Sequence, residues 1–137
     1  MTEQLSNQSS IRVILPLSVN AGNKKFILNL NQYRNTHHFT LNEAKKKFTL
    51  LVLSRVDPLG YKIKGCELEY VYYHGSKGKV DISNPCSIID KFTCDALTKR
   101  GFWKDDDYSV IGKITYIFGG VDKNHPRCEL FIKNIKR

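Results

Sequence analysis

Apolar and polar residues alternate from Ile11 to Leu17, with Ile11, Val13, Leu15 and Leu17 set against Arg12, Ile14 and Pro16. A period of two predicts a strand, stopped by the polar, glycine-containing stretch 18–25. Residues 18–39 then read as a long loop with one short strand candidate at 26–30. At Thr40 the period changes. Thr40-Leu-Asn-Glu43 is a capping box, and Leu41, Ala44, Phe48, Leu51, Val52 and Arg55 follow at helical spacing, which predicts four turns ending before Asp57-Pro58. Lys45, Lys46 and Lys47 spread over roughly 200° of that helix, as a solvated face does.

Residues 61–73 return to alternation, Cys66, Leu68, Tyr70 and Tyr72 against Glu67 and Glu69, with the phase slipping at Gly65 where a bulge is expected. Asn84-Pro85 starts a second helix, with Asn as N-cap and Pro at the first helical position, and Gly101 ends it. Phe102 would then cover Leu97 in the cap. Pro85, Ile88, Ile89, Phe92 and Ala96 form the stripe that faces the core, Lys91 and Asp95 share a flank with Asn84 behind them, and Asp90 points toward solvent. Two more strand patterns, 108–118 and 127–135, read as an antiparallel hairpin with a long loop. The order predicts one α+β domain over residues 1–137: a two-layer mixed β-sheet packed with two main α-helices, residues 1–10 being disordered.

Composition changes this picture little. The 137 residues are 41% hydrophobic and 26% charged, within the range of globular domains. No apolar run approaches the ~20 residues of a membrane span, and the polar opening MTEQLSNQSS lacks the form of a signal peptide. A cytoplasmic protein without membrane attachment is the expectation. Cys66, Cys86, Cys94 and Cys128, spaced by 20, 8 and 34 residues, have neither zinc-knuckle nor disulfide-framework spacing, so they read as reduced packing residues. His37, His38, His74 and His125 add no metal-ligand spacing. Nucleophilic catalysis also lacks a signature: no Gly-x-Ser-x-Gly elbow, no phosphate-cradling glycine loop and no histidine matched to Cys86 or Cys94.

Charge changes it more. The chain carries +9, and residues 1–80 hold 12 basic against 5 acidic side chains, net +7. Lys24, Lys25, Arg34, His37 and His38 interleave with Phe26, Tyr33 and Phe39. That mixture suits phosphate pairing and base stacking, and equally a solvated connection pinned by aromatics. Lys77 and Lys79 add a second basic loop. Against this background six of the eight aspartates, Asp81, Asp90, Asp95, Asp105, Asp106 and Asp107, fall within 27 residues. Carboxylates repel a polyanion unless they hold a cation, and hard oxygen donors imply Mg²⁺ or Mn²⁺. The plain alternative is a set of acidic loops that offset the basic surface.

Asp81-Ile-Ser-Asn84, Lys91, Asp95-Ala-Leu-Thr-Lys99, Gly101-Phe-Trp and Asp105-Asp106 together resemble the core of the RusA-type Holliday junction resolvases, small endonucleases of phage and prophage origin. About 30 residues carry the likeness strongly, and more weakly the strand ending at Leu15-Pro16 with the basic loop after it. The resemblance implies a RusA-like fold and a homodimer that resolves four-way DNA junctions by symmetric, Mg²⁺-dependent hydrolysis, without an organic cofactor, in recombination and repair. It implies that Asp81 and Asp106 bind the metal with Asp105 in support and that Lys91 assists at the scissile phosphate; Ser83, Asn84 and Asp95 are the candidates to stand behind them. Lys24, Lys25, Arg34, Lys77 and Lys79 are the candidates for DNA contact.

The chain departs from the family pattern twice. Ser83 stands where a second acid is expected, and four extra residues, about one helical turn, separate Asn84 from Lys91. A hydroxyl holds a hard dication less strongly than a carboxylate, so the alternative expectation is a non-catalytic protein that binds branched DNA.

Overall fold

The computed structural model describes residues 10–137; of the N-terminal segment expected to be disordered, only Ser10 lies among them. Strand β1 (Ile11–Leu15) keeps its alternation, Val13 and Leu15 inward. The chain then forms a hairpin where a loop was expected: β2 (Ser18–Ala21) pairs antiparallel with β3 (Lys24–Ile27). Gly22 turns it at φ +64°, a positive value at the first central position alone, as in the turns whose twist suits two-residue hairpins. Val19, Ala21 and Phe26 are buried on one face of this ribbon.

A short helix α1 (Leu30–Asn35) follows, its first turn capped by the Asn29 side chain, which accepts from Gln32 N at 2.8 Å. Helix α2 (His38–Leu53) starts before the expected capping box. His37 is its N-cap, and its ring accepts from Phe39 N at 3.3 Å. Ala44, Phe48 and Val52 are its buried stripe.

Strand β4 (Gly65–His74) buries Cys66, Leu68, Tyr70 and Tyr72, and its register with its neighbours shifts beside Cys66, close to the expected bulge. Residues 61–64 precede the strand. Helix α3 (Ser83–Arg100) crosses over to β5 (Ile111–Val121), which lies parallel to β4, and β6 (Arg127–Lys136) lies antiparallel on β4's other side. The sheet order is β1-β6-β4-β5. The expected β5–β6 hairpin is therefore not formed, because β4 stands between the two strands. Burial drives that arrangement: alternation along β4 supplies an apolar face, and central placement pairs both of its edges.

The architecture is α+β, a mixed four-stranded sheet and a two-stranded ribbon with three helices. One core joins Leu68, Tyr70, Leu130 and Ile132 of the sheet to Ile89 and Phe92 of α3 and Phe48 of α2. Phe92 stacks on Phe26 at 5.9 Å and meets Phe48 edge-on at 5.6 Å, tying ribbon, α2 and α3 together. On the sheet's other face Arg12 and Arg127 pair with Glu129, and Lys133 pairs with Glu69. All four cysteines are buried free thiols, joined by no disulfide. Among the described residues no helix is long and apolar enough to cross a membrane.

Candidate functional site

Asp81 sits at the start of α3. One carboxylate oxygen accepts from the Ser83 backbone N–H at 3.2 Å and from the Ser83 hydroxyl at 2.9 Å. The residue at the position expected to hold a second acid is thus a donor to one oxygen of the first. Asn84 does not cap α3. Its side-chain oxygen accepts from Leu30 N at 2.7 Å, so it holds the first turn of α1 instead. Ile82 occupies the N-cap position without a side-chain cap bond.

Along α3 the expected stripe Pro85, Ile88, Ile89, Phe92 and Ala96 is buried. Lys91 and Asp95 are exposed, one turn apart. Asp90 is not directed to solvent as expected: it takes the Tyr70 hydroxyl at 2.6 Å and the Cys94 thiol at 3.3 Å beneath the helix. Burial raises its pKa, partly offset by those two donors, and raises those of Tyr70 and Cys94 as well.

Gly101 ends α3 as expected, at φ +88°, a left-handed conformation that costs glycine little. Phe102 N bonds Leu97 O at 3.1 Å and Gly101 N bonds Thr98 O at 3.0 Å, the two bonds of a Schellman cap, with Phe102 and Leu97 both buried. Trp103 is buried beside them and donates to Thr98 Oγ1 at 2.7 Å. These anchors turn the following loop back along the helix.

In that loop Asp106 N donates to Asp105 Oδ1 at 2.8 Å. Partial desolvation is the first cause raising the Asp106 pKa. Its own backbone N–H opposes this, and crowding by Asp105 and Asp95 adds to it. Asp107 differs from its neighbours, because Ser109 donates to it from both backbone and hydroxyl and lowers its pKa. Asp95 and Asp105 thus both act on Asp106, and Lys91 lies one turn from Asp95 along the helix.

The structure does not bring Asp81 to them. The strand after Asp107 does run beside the strand before Asp81, but in parallel, so the loop entering α3 and the loop leaving it belong to opposite ends of the sheet. From Ser83 to Asp95 the helix rises about 18 Å. Among the described residues no group of three or more His, Cys, Asp or Glu side chains is placed to hold a metal ion. Mg²⁺ commonly takes one or two protein carboxylates and completes its shell with water and substrate phosphate. Asp105 and Asp106 suit that mode; among the described residues a cage built from protein donors alone does not form.

The basic candidates are exposed on three elements: Lys24 and Lys25 on β3, Arg34 in the last turn of α1, and Lys77 and Lys79 in the loop from β4 to α3. The Asn84–Leu30 bond ties α1 to the first turn of α3, just after that loop. Beside Lys24 and Lys25 the His37, His38 and Phe39 rings stand exposed at the start of α2, a grouping the mixed basic and aromatic sequence hinted at without placing. The chain matches no protein family model and no curated protein.

Proposed function

We propose that this protein is a Mg²⁺-dependent endonuclease acting on branched DNA, with four-way junctions as substrate and a homodimer as the working unit, on a RusA-like fold. The observation that carries the proposal is the electrostatic repulsion of Asp106 by Asp105 and Asp95, with Lys91 one helical turn from Asp95, in a chain of charge +9. Raising the pKa of Asp106 costs its anion free energy, and a cation brought with a phosphate relieves both the desolvation and the repulsion. A bound metal would lower the pKa of a coordinated water and neutralise charge on the phosphate. Asp106 and Asp105 would hold it, Asp95 would add negative potential, and the Lys91 ammonium would stabilise charge developing on the phosphate oxygens. The basic residues of β3, α1 and the loop before α3 would bind the backbone by displacing counterions. Asp81, bonded to Ser83, would keep the first turn of α3 in place.

Cleavage of a synthetic four-way junction, compared with linear duplex in Mg²⁺, Mn²⁺ and EDTA, tests this. Paired symmetric nicks that require metal and vanish in Asp106→Asn support it. A junction bound tightly but never nicked in either metal rejects the enzyme and favours the second reading, a branched-DNA-binding protein. That reading draws on one observation: Ser83 satisfies Asp81 by hydrogen bonding, where an acid would have called for a cation.

A further inference from the structure

We infer that the exposed ring cluster at the start of α2 is a stacking platform for unstacked DNA bases at a branch point, an inference that rests on the DNA reading above. His37 and His38 lie 4.4 Å apart between ring centroids, His38 and Phe39 4.3 Å, and His37 and Phe39 5.2 Å. Phe39 is 71% exposed, so its ring packs against these neighbours and leaves a face open to water. Beside His37 runs a groove of about 300 Å³, lined by Lys24, Lys25, Gln32, Asn35, His37 and Thr40. Residues 18–42 contain no Asp or Glu. Charge complementarity therefore selects a polyanion, and the open ring selects one that can offer a planar base.

Paired bases in linear duplex are stacked on both sides and have no face to give. Bases at a branch point do, so the cluster discriminates by structure where the lysines bind any phosphate backbone. Gln32 and Asn35 supply side-chain amides on the groove wall for the edge or sugar of such a nucleotide.

The test uses the full chain in EDTA with a four-way junction carrying 2-aminopurine at the branch point, linear duplex of the same sequence, and the variants Phe39→Ala and Phe39→Trp. Phe39 is exposed, so both are expected to fold, checked by circular dichroism. Junction affinity should fall about tenfold in Phe39→Ala, the order of one base stacked on a ring, with loss of the 2-aminopurine response and duplex affinity retained. Phe39→Trp should restore both. An Ala variant that matches wild type in affinity and fluorescence overturns the platform and leaves the DNA reading standing, as does an equal loss on junction and duplex. Wild-type protein that binds neither DNA overturns both.

Discussion

The two ends of α3 hold carboxylates in opposite conditions. At the N-terminal end Asp81 has two donors from Ser83, one from the backbone and one from the hydroxyl, both on one carboxylate oxygen. Toward the C-terminal end Asp106 has one backbone donor position in a partly desolvated loop and two carboxylates as neighbours. A carboxylate supplied with donors by its own chain stabilises structure. One crowded by its own kind lowers its free energy by taking up a proton or a cation. Asp107 makes the same point at short range, since two bonds from Ser109 set it apart from Asp106 one residue away.

Exchanging the charges should break the comparison most strongly. Asp106→Asn is expected to lower junction cleavage about a thousandfold or more, the scale of losing a group that acts on the developing charge, while Asp81→Asn stays within about tenfold of wild type. Rates measured under single-turnover conditions decide it. An equal loss in Asp81→Asn, with unchanged stability, would mean that both ends of α3 serve one site on DNA.

Stability effects are smaller. Asn84→Ala removes the acceptor for Leu30 N and should cost about 1–2 kcal/mol in urea unfolding, with α1 loosened as seen by hydrogen exchange. Gly101→Ala places a Cβ on a residue at φ +88° and should cost about 1 kcal/mol, separating the Schellman cap from the carboxylates it positions.

The smallest effect is in pH. The folded-state pKa of Asp106 lies above its unfolded value, so the folded chain holds the proton more tightly. Its contribution to stability should therefore rise as pH falls through the window between the two values, and be lost as pH rises through it. Glu129, lowered chiefly by Arg12, has the opposite sign and loses its stabilising contribution on acidification. Comparing wild type with Asp106→Asn over that range isolates the Asp106 part, which should be absent in the variant.

What the sequence by itself determined was local. The end of α3 was legible because Gly101, Phe102 and Leu97 interact within one turn, and the buried faces of α3 and β4 because periods of 3.6 and 2 map directly onto one side of a helix or strand. The acidic grouping was legible as a list of residues, of which Asp105 and Asp95 act electrostatically on Asp106. Partnership was decided by the tertiary structure. β4 took the centre of the sheet and kept β5 from β6, and parallel pairing of β4 with β5 sent Asp81 and Asp106 to opposite ends of one helix. Asp90 turned under the helix because Tyr70, 20 residues earlier in sequence, offered a hydroxyl there, and Asn84 left its own helix for Leu30, 54 residues away. Spacing along a chain fixes which side chains share a face; which faces meet depends on where the whole apolar surface can be buried at once.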